Sequence, residues 1–371
     1  MQFTISAETF LNLVSTAAPV IPARPVLPVL ANLLLTADDG ELRVTGTNMD
    51  QTIRMTGEAA VSEPGAITVN AKRLTALLRE MPHGELAVRV VKDKFTVSYH
   101  NGKAEVQGLP ATEFPSINGL GEDFDCAEAP VTGEAFRQLA DMGGFCPASD
   151  RTRMVLTGVL LEIGEGTVAM VSTDGHRLAR VALPVDSGET TVSAILPSEA
   201  VSAAVKLCGQ MELRSLGFGK GAVRFIFANA VLLTKTVEGP YPNFKQVIPV
   251  EHQTLFVTET DSFAQSVRRV DVLSNIVTRQ IELRFGNDAA TLCTANADIG
   301  GESRETVAGT YGDEESRLGL NAGYLAEILK RVATPLVRLE MNGESGACII
   351  RPDGECGVDA LFLIMPLRLN D

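Results

Sequence analysis

The sequence predicts an α+β fold in which one unit of about 120–127 residues occurs three times. Two families of amphipathic helix and one family of polar turn predict it. All three recur in the same order at nearly the same period. Each unit is expected to hold two helices and six to eight strands. The expected domain limits are 1–122, 123–250 and 251–371.

The first helix family reads SAETFLNLV (6–14), TGEAFRQLA (132–140) and TDSFAQSVR (260–268). Each begins near a Ser or Thr able to cap, carries an acid in its first turn and repeats apolar residues at helical spacing. Phe10, Phe136 and Phe263 align at separations of 126 and 127 residues. The second family is NAKRLTALLREM (70–81), PSEAVSAAVKLC (197–208) and NAGYLAEILKRV (321–332), each after a run that reads as strand: AITV, TVSAIL, RLGL. The turn family is TGTNMD (45–50), STDGHR (172–177) and TANADI (294–299), with Asn48, Asp174 and Asn296 aligned. LPATEFPSI (109–117) and VEGPYPNFKQVI (237–248) close two of the units alike. Segments such as ELRVTGT, FTVSYHNGKAEV, GVLLEIGEGTVAMVS and AVRFIFANAVLLTKT alternate in strand fashion between turn residues.

With 371 residues, 45% of them hydrophobic, the chain can bury sizeable cores. The opening MQFTISAETF lacks a basic region followed by an apolar run, and no apolar stretch has the length of a membrane span, so a cytoplasmic location is expected. Six scattered cysteines without CxxC or Cys/His clustering read as reduced, mostly buried thiols. No metal site and no cofactor are expected.

Three stretches imitate catalytic motifs. GEGTVA (164–169) fits G-x-G-x-x-A, but a strand leads out of it where the dinucleotide fingerprint needs a helix. GFGKG (217–221) has Gly221 where a P-loop needs Ser or Thr, and Arg214 where the first glycine belongs. Both read as hairpin turns. Asp174 and His176 could form an acid–base pair. No G-x-S-x-G elbow accompanies them, and His83, His100 and His252 are isolated. Asp174-Gly175 is a strong turn pair, and the other two units make the same turn without histidine.

The net charge of −14 argues against nucleic acid if it is spread evenly. It is not. Basic residues gather on or beside the helices: Lys72, Arg73, Arg79, Arg137, Arg151, Arg153, Lys206, Arg268 and Lys330, with Arg24 after the first helix. Helix dipoles favour some of these positions. If the six helices lie on one face, their recurrence in all three units makes that face positive inside an otherwise acidic protein, a surface that nucleic acid can approach.

At this point the chain resembles a known family. RPVLPVLANLLL (24–35), TGTNMD, LPATEFP, STDGHRLA, YPNFKQVIP, VLSN (272–275) and MPLRL (365–369) are similar to segments of the β subunit of bacterial DNA polymerase III, the sliding clamps. The resemblance runs end to end and in order. It implies a DNA-clamp fold, with each unit made of two βαβββ halves. Two chains would join head-to-tail as a ring, with helices lining the hole and sheets outside. It implies no enzyme: a processivity factor encircling duplex DNA without reading sequence. Its partners would be the polymerase III α subunit, the clamp loader, and other polymerases and repair proteins carrying short clamp-binding motifs. No membrane partner and no cofactor are implied.

The resemblance also assigns residues. Leu156, Thr173, Gly175, His176, Arg177, Leu178, Pro242, Val247 and Tyr324, with the tail Leu363, Ile364, Met365, Pro366, Leu367, Arg368 and Leu369, would form an apolar pocket for the Leu and Phe anchors of partner peptides. The ten basic residues above would face DNA. Lys103, Ala104 and Val106 would meet Val272 and Leu273 across the subunit interface, near Glu302 and Glu305. Val155, Gln246 and Ala104 depart from frequent family residues, and Asn370 and Asp371 extend past the usual end. The competing readings are a repeat-built protein-binding scaffold that never encircles DNA, and an enzyme using Asp174 and His176.

Overall fold

The computed structural model describes residues 1–120, 124–186, 188, 190–296 and 300–369. The expected boundary at 122/123, the end of the third turn (Ala297–Ile299) and Asn370 and Asp371 lie outside the described residues. Six α-helices appear among the described residues: α1 Ala7–Ala17, α2 Ala71–Arg79, α3 Gly133–Gly143, α4 Ser198–Cys208, α5 Thr260–Asp271 and α6 Ala322–Leu329. They are the six that the repeat predicts.

Local chemistry fixes their ends. The Ser6 hydroxyl accepts from the Thr9 amide at 3.1 Å, and the Asn70 and Asn321 side chains accept from the Arg73 and Tyr324 amides at 3.1 and 3.0 Å. The expected cap Thr260 is instead the first residue of α5, and its hydroxyl donates to the Thr334 carbonyl at 2.8 Å. The last helix ends at Leu329, short of the expected 332. There the amides of Arg331 and Val332 turn back three residues to Ile328 and Leu329 in a tightened final turn before Pro335. Phe10, Phe136 and Phe263 are all fully buried, as their alignment requires. Phe10 packs between Phe3 and Phe95, and Phe263 packs against Phe256.

Among the described residues the second and third repeats each carry eight strands. The first carries two more, the short Ala60–Glu63 and Leu109–Pro110. Both catalytic look-alikes are hairpins. GEGTVA joins Gly158–Gly164 to Thr167–Thr173 through Glu165 and Gly166 at φ 52° and 72°, and GFGKG joins Leu213–Gly219 to Ala222–Phe227.

The chain divides into two compact units, and the division runs through the middle repeat. One unit is Met1–Gly133 with Ser202–Thr236; the other is Glu134–Val201 with Val237–Asp371. Strand pairing is the reason. In the first unit, Gln51–Glu58, which follows the turn of repeat one, pairs antiparallel with Ala230–Lys235, the last strand of repeat two. In the second unit, Arg177–Pro184, which follows the turn of repeat two, pairs with Asp359–Ile364, the last strand of repeat three. Repeat n is thus sewn to repeat n+1 by one rule.

Two strands that the rule would use are left over. Gly102–Gln107, the last long strand of repeat one, ends a five-stranded sheet in the first unit. In the second unit, Gly301–Thr310 follows the turn of repeat three. It pairs with Ala289–Asn296 on one side and with Thr254–Glu259 only through Gly309 and Thr310. Residues 301–308 have no strand on their other side among the described residues.

Candidate functional site

The STDGHR turn sits in the second unit, between the strands Thr167–Thr173 and Arg177–Pro184. Asp174 is committed there. Its Oδ1 accepts from the amides of His176 and Arg177 at 2.9 and 3.0 Å, and its Oδ2 accepts from Arg177 Nε at 3.0 Å. The Thr173 hydroxyl donates to the Arg177 carbonyl at 2.6 Å and accepts from the Gly175 amide at 3.1 Å. Gly175 holds φ +91°, a left-handed conformation that glycine adopts without strain.

The first repeat makes the same turn bond for bond. Asn48 Oδ1 accepts from the Asp50 and Gln51 amides at 3.0 and 2.7 Å. Thr47 donates to the Gln51 carbonyl at 3.0 Å and accepts from the Met49 amide at 3.0 Å. The acid is therefore a turn-former. The His176 side chain is exposed, and among the described residues its ring donates no hydrogen bond to Asp174, which accepts from the His176 amide instead. The acid–base pair is not assembled.

Arg177 is the hub on one side of this turn. Its guanidinium pairs with Asp174 and with Glu327 of α6, and stacks over the Tyr324 ring at 4.3 Å and the Phe145 ring at 5.7 Å. Arg331 covers Phe145 at 3.8 Å and donates to the carbonyls of Asp141 and Glu327, each at 2.7 Å. Beside this cluster Cys146 is buried. Burial pushes its thiol up to about 12, with Arg177 pulling the other way, so it is neutral at physiological pH.

The opposite face of the same strands is apolar. Leu160, Val171, Leu178, Ile195, Phe244, Ile349, Leu361 and Leu363 form one buried cluster, with Val155, Val237, Tyr241, Ile248 and Ala347 packed half-buried against it. Side chains alternate across a strand. Leu178 stands opposite Leu363 on this face, whereas Arg177 and Ile364, also a cross-strand pair, point to the other face with Phe362 and Phe145. Tyr324 lies with Arg177. The expected pocket residues are therefore split between two faces. Thr173, Leu178 and Leu363 belong to the apolar face, with Leu156 buried in the 3-10 turn just before the adjoining strand. Arg177, Ile364 and Tyr324 hold the framework behind it.

Three apolar side chains next to members of this cluster are exposed. Val247 is 52% exposed and Met365 42%, with Pro242 also exposed. The tail is docked here rather than frayed. The Met365 amide donates to the His176 carbonyl at 2.8 Å, and the Leu367 amide to the Gly319 carbonyl at 2.8 Å. The Arg368 carbonyl accepts from Gln280 Nε2 at 3.1 Å. Pro366, Leu367 and Leu369 are half-buried and Arg368 exposed. Four residues not expected at this site also belong to this region: Tyr241, Ile248, Phe145 and Arg331. Tyr241 carried a signal as part of the repeated aromatic-Pro pair, Ile248 as the end of the same repeated segment, and Arg331 as one of the basic residues ending the last helix.

The ten expected DNA-facing cations are all exposed. Among the described residues none of them forms an ion pair, whereas Arg43, Arg180, Arg269, Arg279, Arg284 and Arg317 each pair with a carboxylate. Arg153 is distinct from the others. Its guanidinium passes the Gly175 turn so closely that a Cβ on Gly175 would come within 2.8 Å of it. At the expected interface, Lys103 is exposed, and Ala104 and Val106 are half-buried on the free edge strand of the first unit. In the second unit Val272 is 76% exposed. Its neighbours Ile276 and Val277, which sequence reasoning missed, are 91% and 87% exposed. Asn275 presents them rigidly, its side chain accepting from the Val277 and Thr278 amides at 2.9 and 3.2 Å. Glu302 is exposed, and Glu305 accepts from Nε and Nη2 of Arg269, each at 2.6 Å.

Comparison with known proteins decides the family. Models of the N-terminal, central and C-terminal domains of the DNA polymerase III β subunit match residues 1–118, 131–243 and 245–368. The chain belongs to that family. Beta sliding clamps of Pseudomonas aeruginosa and Escherichia coli K12 are 29% and 27% identical over 378 and 375 residues, covering both chains completely. The crystal structure of the Pseudomonas aeruginosa DNA polymerase III subunit beta superposes with a TM-score of 0.94 at 27% identity, covering 100% of each chain. The structure of that organism's clamp bound to griselimycin gives 0.92 at 27% identity, again over the whole of both chains. The three-domain clamp fold is thus the fold of this chain. Its function is that of a DNA sliding clamp, which confers processivity on the polymerase and catalyses no reaction itself.

Proposed function

We propose that two copies of this chain close head-to-tail into a ring around duplex DNA, and that each copy docks short peptides of its partners on the apolar face beside the STDGHR turn. The three domains of each copy are 1–122, 123–250 and 251–371, and the ring acts in the cytoplasm.

The observation that carries the ring is the pairing rule. Each internal junction joins the strand after a turn to the last strand of the next repeat. The two strands left over are the pair that the same rule would join between copies. A head-to-tail contact that repeats this geometry closes instead of growing into a fibre, and it covers edges that would otherwise invite aggregation. The rule also gives a register. Thr47 faces Thr52, Thr173 faces Leu178 and Ala295 faces Glu302, so Gly301 is the equivalent of Gln51 and Arg177. Gln51 pairs with Thr234, whose equivalent one 127-residue period earlier is Gln107. Setting Gly301 against Gln107 of the partner subunit brings Glu305 opposite Lys103 of the partner subunit. The exposed Val272, Ile276 and Val277 supply apolar surface beside that edge. Ala104 offers little there, which makes the wider apolar run on the other side the main adhesive.

The unpaired cations support the DNA-facing role of Arg24, Lys72, Arg73, Arg79, Arg137, Arg151, Lys206, Arg268 and Lys330. A topologically linked protein needs no tight phosphate grip, and strong contacts would slow sliding. Arg153, held at the Gly175 turn, fits the rim of the peptide site better than the DNA face. At that site Val247, Pro242 and Met365 offer an apolar surface over a buried floor, with His176 at its edge. This suits the Leu and Phe anchors of motifs in the polymerase α subunit, the clamp loader, and other polymerases and repair proteins.

Sedimentation tests the ring. Val272 is exposed, so Val272→Glu leaves the subunit folded but converts dimers to monomers, and Lys103→Glu, which sets like charges opposite each other, weakens the dimer. A Val272→Glu protein that still sediments as a dimer refutes this interface.

A further inference from the structure

Tyr241 carries chemistry that the docking of apolar anchors leaves unused. Its ring packs half-buried against the cluster that floors the site. Its hydroxyl oxygen is fully buried, and among the described residues it has no hydrogen-bond partner. Burial pushes the phenol well above its ordinary range, so it is a neutral donor at any physiological pH. The Thr173 main chain lies beside the hydroxyl, with its amide as a weak donor toward the phenol oxygen, and the hydroxyl proton is left without an acceptor. There the strand Thr167–Thr173 has outrun its neighbour, since the pairing with Gly158–Gly164 reaches no further than Val171 opposite Leu160. The Thr173 side chain is already taken by Gly175 and Arg177. A phenylalanine would fill the same space without the cost of an orphaned hydroxyl, and native proteins rarely bury polar atoms unpaired.

We infer that the Tyr241 hydroxyl is a specificity-determining group of the peptide site, which donates a hydrogen bond to a main-chain carbonyl of the docked peptide beside Thr173. The inference rests on the reading of this face as the peptide site. In the free protein the hydroxyl proton is held without an acceptor. A peptide in extended conformation brings carbonyls to the end of the strand, and a small swing of the half-exposed ring brings the hydroxyl to one of them. The site then selects for an extended backbone at that point as well as for apolar anchors, which a purely apolar floor cannot do.

The test uses the full-length protein and a fluorescein-labelled hexapeptide with leucine and phenylalanine anchors among polar residues. Tyr241→Phe is expected to weaken binding by about three- to ten-fold, the range of one neutral hydrogen bond, while the melting temperature stays level or rises. Replacing the contacted peptide amide by an ester should weaken binding to the native protein and leave binding to the Tyr241→Phe protein unchanged. Val247→Ser and Met365→Ser serve as controls for the site itself. If they weaken binding and Tyr241→Phe does not, the hydroxyl inference is overturned and the pocket stands. If neither control matters, the pocket reading and this inference fall together. A Tyr241→Phe protein that melts lower gives the hydroxyl a structural partner in the free protein, and that result also overturns the inference.

Discussion

Asp174 and Asn48 do the same work with different charge. Each accepts two backbone amides two and three residues ahead, and only Asp174 adds an ion pair, to Arg177. Asp174→Asn is therefore expected to keep the turn and lose only the charge, at about 1 kcal/mol, whereas Asp174→Ala strands two amides and costs about 2–3 kcal/mol. Urea unfolding checks the order, and equal losses for both variants would show that amide acceptance contributes nothing. His176→Ala should leave stability unchanged and weaken peptide binding, because the exposed imidazole holds up nothing else. Cys146 makes a separate expectation at this scale. Buried and with its thiol pushed up to about 12, it should resist iodoacetamide in the folded protein and react on unfolding, as mass spectrometry of partly labelled protein can show. An early reaction at Cys146 would mean that the Arg177 cluster opens readily.

At the scale of elements, the helices were legible in the sequence to within a few residues, because caps and 3.6-residue periodicity are local. Ser6, Asn70 and Asn321 announce three helix starts directly. The turn family was legible too, since Asn48 and Asp174 are read by their own neighbours. Pairing between repeats was not. Nothing within Gln51–Glu58 announces that it will lie against Ala230–Lys235, because register between distant strands is set by packing over the whole sheet. For the same reason Ile364 and Leu363 looked alike as tail residues, and only the pleat sends one to the framework and the other to the pocket floor. Gly309 carries a prediction here. It is where the strand from the third turn leans onto Thr254–Glu259, and a Cβ would strike the Phe256 ring and approach the Val257 carbonyl to 2.5 Å. Gly309→Ala should cost about 1–3 kcal/mol, the usual range for overpacking. A melting curve like that of the native protein would mean that the two strands can part without loss.

Across the whole molecule, the net charge of −14 and the exposed unpaired cations belong to one design. On the proposed ring, an acidic exterior would discourage DNA from binding where it cannot be encircled, and a modest basic lining would let it slide where it can. Topology then replaces affinity. Loaded by its clamp loader onto nicked circular DNA, the protein should stay bound through washes at moderate salt, and it should run off when the circle is cut once. Replacing Lys72 and Arg73 by alanine should reduce loading and flatten its salt dependence without changing the affinity for free peptide, because the two surfaces are made of different residues. Val272→Glu should abolish retention on circles while each subunit still binds peptide. If linearisation leaves the bound fraction unchanged, contacts rather than encirclement hold the DNA. The left-over strands Gly102–Gln107 and 301–308 would then need some other partner than a second copy of this chain.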